Sequence, residues 1–293
     1  MTDEPAPVER DSRGILDPWL LRQRLALTRY PPGDELDGLI DHFWAIRWEL
    51  PDAEQHRQEV LTHPVANLSV SHPDARSGSR AIEARLSGVA RKLTDRVVAG
   101  RGWVVAAMTT PGGLGAFLTG SAARLTDRSV PLGSALQIDE AALIAEVTST
   151  ADQADRVAIL RVALARAVVP RRIDPARQVA EIARLAETDR AVRQLGELSQ
   201  KSGVSQRTLQ RMFLEYAGVS PSWVLRRYRL LDAAEAVRNG ERVSWTDVAA
   251  TLGYADQAHL IRDFRAATGR TPAAYAQAQS GHQVTPPPAV SPR

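Results

Sequence analysis

Gly203-Val204-Ser205-Gln206-Arg207-Thr208-Leu209-Gln210-Arg211-Met212-Phe213 returns about fifty residues later, with one residue inserted, as Gly253-Tyr254-Ala255-Asp256-Gln257-Ala258-His259-Leu260-Ile261-Arg262-Asp263-Phe264. The echo continues past the quoted stretch. In both copies a Gly follows the Phe by five residues and a Pro by eight, giving Gly218 and Pro221, then Gly269 and Pro272. Each copy predicts a helix-turn-helix. A glycine able to take the left-handed conformation, Gly203 or Gly253, ends one short helix, and a polar cap, Ser205 or Asp256, starts the next. Leu209 with Phe213, and Leu260 with Phe264, lie four apart and bury one face of that helix. The opposite face stays polar: Gln206, Arg207, Gln210 and Arg211 in the first copy, Gln257, His259, Arg262 and Arg265 in the second. Such side chains suit base edges and phosphates, and they sit near the front of the helix, the end that enters a major groove.

Between the copies Ser220 caps a helix with Pro221 at its first position, running to Arg238 before Asn239-Gly240 stops it. At 1.5 Å per residue this rod is about 27 Å long. It could hold two reading helices near one DNA turn, about 34 Å, apart. Ser244 with Asp247 gives the second unit a capping-box-like start.

Charge agrees with the motif. Of 37 basic residues only Lys92 and Lys201 are lysines. The richness in alanine points to codon bias as the source of that ratio, so the placement of charge counts for more. From 176 to 279 there are 15 basic residues against 11 acidic, and elsewhere 22 against 23, so the helical third carries the positive excess. With no cysteine, disulfides, thiolate metal sites and cysteine nucleophiles are excluded. Length and a charged content of 24% fit two ordinary globular domains. No apolar run approaches the roughly 18 to 20 residues of a membrane span, and the acidic start Met1-Thr2-Asp3-Glu4 is unlike a secretory signal. The expectation is a cytoplasmic protein with no membrane contact.

Upstream the texture changes. Phe43-Trp44-Ala45-Ile46-Arg47-Trp48, Ala66-Asn67-Leu68-Ser69-Val70 and Gly102 to Met108 are short apolar runs bounded by turn residues, which predicts strands. The fold class is therefore α+β: a β-rich N-terminal domain, then an all-α C-terminal domain with two helix-turn-helix units. The expected divisions are a disordered tail at 1–14, the β-rich sensing or dimerisation domain at 15–135, and a helical linker at 136–175 whose helix ends at Pro170-Arg171-Arg172, where a hinge belongs. The double helix-turn-helix follows at 176–279 and a Pro-rich disordered tail at 280–293.

The two-copy arrangement from Ala176 to Ala278 resembles the DNA-binding domain of the AraC/XylS family of bacterial transcription regulators. One helix-turn-helix is a weak signal, and two at this spacing are a strong one. The resemblance implies that Arg207, Gln210 and Arg211 face bases and backbone in the first unit, and Gln257, His259 and Arg262 in the second. The segment from Tyr30-Pro31-Pro32 through Phe43-Trp44, His63-Pro64 and Pro111-Gly112-Gly113 to Asp127-Arg128 is similar to a domain of uncharacterised function found ahead of AraC-type modules. That likeness implies a compact, cupin-like sensing or assembly domain, compatible with a small-molecule effector and with a homodimer. One departure stands out: Met108-Thr109-Thr110 lacks the basic residue expected before the Pro-Gly-Gly turn.

The expected function is a sequence-specific DNA-binding transcription regulator, not an enzyme, with double-stranded DNA as partner and no cofactor. The alternative is a metal-dependent cupin-like enzyme with an accessory helical domain. His42, His56, His63 and His72 with Glu59 would be its ligands, but their spacing fits no ligand motif. Gly112-Gly113-Leu114-Gly115 lacks the Lys-Ser/Thr of a phosphate loop and reads as a tight turn. Trp44, Trp48 and Trp103 read as core ahead of pocket lining.

Overall fold

All three apolar runs noted above become interior strands of one sheet, where neighbouring strands pair with both of their edges. The structure, a computed structural model, describes residues 25–238, 244–251 and 253–280. The tail expected at 1–14, the Asn239-Gly240 stop and all but the first residue of the tail expected at 280–293 lie outside them. The described strands are β1 (Leu25–Tyr30), β2 (Ile40–Glu49), β3 (Gln55–Val60), β4 (Asn67–Ser71), β5 (Glu83–Ser87), β6 (Thr94–Ala99), β7 (Arg101–Thr109) and β8 (Ser129–Pro131). Six form an open antiparallel sheet in the order β1-β2-β7-β4-β5-β8, and β3 pairs with β6 as a separate ribbon.

The pairing Ala45↔Val105↔Val70 and Phe43↔Ala107↔Leu68↔Leu86 lines up one apolar face across four strands. The other face carries Trp44, Ile46, Trp48, Val104 and Ala106, with Val98 of the ribbon packed on it. Covered on both sides, β7 is buried from Gly102 through Ala107 and shows no alternation, whereas β4 alternates Leu68 and Val70 inward.

Beyond the single turn Leu132–Ala135, the α-helices among the described residues are α1 (Glu140–Ser149), α2 (Gln153–Ala167), α3 (Ile173–Thr188), α4 (Leu195–Ser202), α5 (Gln206–Tyr216), α6 (Pro221–Arg238), α7 (Trp245–Thr251), α8 (Gln257–Thr268) and α9 (Pro272–Ser280). Asp139 and Asp152 cap α1 and α2 by accepting backbone N–H bonds in the first turn. The segment read as a linker does more than connect. Leu143, Val147, Val157, Leu160 and Leu164 join Phe43, Leu68 and Val105 in one buried cluster, so α1 and α2 roof the sheet. An amphipathic helix must bury its stripe, and the nearest uncovered apolar surface is that sheet face. From α3 onward the core is helical: Val179, Leu198, Leu209, Phe213, Tyr228, Leu260, Phe264 and Tyr275 share a second cluster, which also takes in Leu61 and Val89 of the β-rich half.

Candidate nucleic-acid interface

The turn in each unit is set by a glycine. Gly203 at φ +69° closes α4, and Gly253 at φ +73° follows α7. In the first unit Ser199 Oγ donates to the Val204 carbonyl at 2.7 Å, tightening the turn, and Ser205 Oγ accepts from the Thr208 N–H. In the second, Asp256 Oδ1 accepts the His259 N–H at 2.6 Å, and Ser244 Oγ accepts the Asp247 N–H. The inserted Ala255 is absorbed in the turn, before the cap.

These caps orient α5 and α8 so that Leu209, Phe213, Leu260 and Phe264 are fully buried. Phe264 packs on Tyr275 of α9, with ring centroids 5.6 Å apart. The other face is open: Gln206, Arg207, Gln210 and Arg211 on α5 are exposed, as are Gln257, Arg262 and Arg265 on α8. His259 differs. It is half-buried, its ring edge-on to Tyr254 at 5.3 Å and its Nε2 3.8 Å from Asp263.

Charge is distributed to leave these faces free. Arg190 pairs with Asp232, Lys201 with Asp189, Arg172 with Glu215 and Arg270 with Glu59. Among the described residues no carboxylate lies within ion-pair distance of Arg207, Arg211, Arg262 or Arg265. The Glu197 carboxyl, held below its ordinary range by the Arg193 and Gln194 N–H groups, instead anchors the start of α4.

Several residues that position this surface are silent in the sequence. The turn Gly113–Phe117 lies against the end of α5, and a Cβ on Gly115 would stand 2.4 Å from Tyr216 Cδ1. Arg172, mostly buried, donates to the Gly115 carbonyl at 2.7 Å and to Glu215 at 3.0 Å, with its guanidinium 4.6 Å from the Tyr216 ring centre. The segment read as a hinge is thus pinned. Ser121 Oγ donates to the Leu214 carbonyl and Thr126 Oγ1 to that of Gly218. The second unit is held too: the Leu93 N–H donates to the Ala267 carbonyl, and Arg270 meets Glu59 at 2.7 Å. On α6, Arg227 is buried, stacks on Trp223 and donates to the Arg91 carbonyl at 2.6 Å. Among the described residues no carboxylate lies within ion-pair distance of it, and burial, opposed in part by Asp127, lowers its pKa to about 10.

The ligands of the alternative reading are dispersed. His42 bonds Asp41, His56 is buried on β3 beside Gln58, and His72 sits between the edges of Trp48 and Trp103, its pKa lowered chiefly by burial. Among the described residues no three His, Asp or Glu side chains gather as a metal site. Trp48 and Trp103 are core, with Arg156 stacked 4.0 Å over Trp103, and Trp44 donates to Asn67.

Known proteins match both halves. Residues 198–278 match the family described as a helix-turn-helix domain, and residues 28–131 match a domain of unknown function, DUF6597. Over 78 residues the chain is 40% identical to the regulatory protein SoxS of Salmonella typhimurium strain LT2, a stretch covering 27% of this chain and 72% of SoxS. The chain belongs to the AraC/XylS family of DNA-binding transcription regulators. A second relative, the probable transcription factor PqrA of Proteus vulgaris, is 33% identical over 78 residues, so the AraC/XylS-family chain spans 63% of PqrA and 27% of its own length is matched. Two solved structures of ToxT from Vibrio cholerae align with TM-scores of 0.38 and 0.36 at 11% and 12% identity. They cover 87% and 88% of this chain and 98% and 99% of theirs. Among the described residues no helix is long and apolar enough to cross a membrane.

Proposed function

We propose that this AraC/XylS-family chain recognises duplex DNA by placing α5 and α8 in two successive major grooves, with α6 as the rod between them. The observation that carries this reading is the pair of matched faces. Two helices, each with its apolar side sealed into one core, present exposed glutamine and arginine groups that no carboxylate among the described residues neutralises. Gln206, Arg207, Gln210 and Arg211 would serve the first groove and Gln257, His259, Arg262 and Arg265 the second. His259, packed edge-on against Tyr254, would offer ring contact, while the arginines supply forked bonds to guanine or phosphate.

The β-rich half grips both units, at Tyr216 and Gly218 on one side and at Ala267 and Arg270 on the other. It is therefore the proposed seat of a small-molecule effector or of self-association, since a ligand or second copy that shifted the grip would change the spacing of the reading helices. The test is the salt dependence of DNA binding by the full chain. Affinity should fall linearly on logarithmic axes, and removing a phosphate-contacting arginine should reduce the slope by about one. Salt-independent binding would contradict the proposal.

A further inference from the structure

The two units differ at one pair of facing positions. Each reading helix begins with a glutamine directly after its cap, Gln206 after Ser205 and Gln257 after Asp256. Opposite each stands the second residue of the supporting helix, seven residues before the turn glycine: Gly196 in α4 and Thr246 in α7. These positions face each other in both units. A Cβ on Gly196 would have Gln206 Nε2 as its nearest neighbour, at 3.7 Å, and in the second unit Thr246 Oγ1 lies 3.2 Å from Gln257 Oε1. The same place holds a hydroxyl in one copy and no side chain in the other.

The chemistry follows from donor and acceptor roles. The Thr246 hydroxyl donates to the Gln257 carbonyl, and because a hydroxyl can equally accept from the amide NH2, Thr246 tethers the end of the Gln257 side chain whichever way the amide is turned. Tethered there, the amide keeps both donor and acceptor capacity for a base edge. A base edge meeting this group finds a side chain whose rotamer is already set, so little ordering remains to be paid on contact. Gln206 has no such partner among the described residues, so its side chain pays the cost of ordering only on contact.

We propose that Thr246 is a positioning residue that makes Gln257 the more discriminating of the two glutamine readers, and that Gly196 leaves Gln206 permissive. The inference rests on the proposal that both glutamines meet bases. It is tested on the full chain with a randomised DNA duplex library, the preference at each base pair being read from the selected sequences. Gln206→Ala and Gln257→Ala first locate the base pairs that each side chain reads. Thr246→Val keeps the shape of the side chain and removes the hydroxyl. It should flatten preference at the Gln257 base pair by roughly two- to tenfold, the scale of one newly mobile side chain, and leave other positions unchanged. Thr246→Ser should retain the preference, and Gly196→Thr should sharpen it at the Gln206 base pair. If Gln257→Ala flattens a base pair that Thr246→Val leaves intact, or Thr246→Val weakens all sequences equally, the positioning role is overturned while base reading stands. If Gln257→Ala alters no preference, base reading by Gln257 and the inference fall together. Melting temperatures of all variants, expected near wild type because both facing positions are on exposed helix starts, show that the changes are local.

Discussion

Gly115→Ala should loosen the contact between the β-rich half and the first reading unit. The added Cβ would stand 2.4 Å from Tyr216 Cδ1 and 2.7 Å from Tyr216 Cα, closer than real contacts allow. The turn cannot retreat freely, because Arg172 Nε holds the Gly115 carbonyl at 2.7 Å and the Val169 N–H holds that of Ala116 at 2.8 Å. Overpacking of this kind costs about 1 to 3 kcal/mol. If the strain is relieved by separating the two surfaces, the separated state becomes more populated by about five- to 150-fold. Tyr216→Ala should rescue only part of this, since the Tyr216 backbone itself is in the way. Gly120→Ala is the matched control: a Cβ there meets nothing within 4 Å, so the change should be neutral or stabilise by about 0.4 to 1 kcal/mol. Hydrogen exchange read across residues 113–126 and 214–219 reports the opening, with β7 as internal reference. Gly115→Ala exchanging and melting like Gly120→Ala would refute the reasoning.

Arg207→Ala and Arg262→Ala should each cost about 1 to 3 kcal/mol of DNA affinity if the arginine makes a forked base contact, with unchanged melting, as checked by competition binding against selected duplexes. Phe213→Ala and Phe264→Ala, both at fully buried positions, should lower stability by about 3 to 5 kcal/mol in denaturant titrations and abolish binding to every sequence. The Asp74 carboxyl is held at about 2 chiefly by Arg76 and also accepts the Val97 N–H at 3.0 Å. Its depressed pKa stabilises the fold above the unfolded value near 4 and that stability is lost as pH falls towards 2, so Asp74→Asn should flatten the acid limb of the melting profile between those pH values.

The helix-turn-helix repeat was legible because every part of it is local: glycine at a left-handed turn, a capping side chain three residues ahead of the N–H it satisfies, and a buried pair four apart. β2, β4 and β7 of the central sheet were legible from apolar runs, but β3 was not. Gln55-His56-Arg57-Gln58-Glu59-Val60 is polar, and it pairs with the strand whose Val98 packs on the second sheet face. The Gly112-Gly113-Leu114-Gly115 cluster shows how far a sequence reading reaches. The turn could be foreseen, yet Gly115 is small because Tyr216, a hundred residues on, packs against it. Arg172 and Arg227 look like ordinary surface arginines in sequence, and only burial against carbonyls of distant loops reveals their roles. The Thr246–Gln257 bond needed both the register of the repeat and the packing of two helices.

The central claim is that α5 and α8 read separate grooves on one face of the duplex. The most direct measurement is a comparison of base preferences for Arg207→Ala and Arg262→Ala in the full chain, each selected against the same randomised duplex library. Each change should relax preference within its own half-site, and the two affected positions should lie about 10 base pairs apart. Relaxation at the same base pairs, or equal weakening on all sequences, would contradict the account.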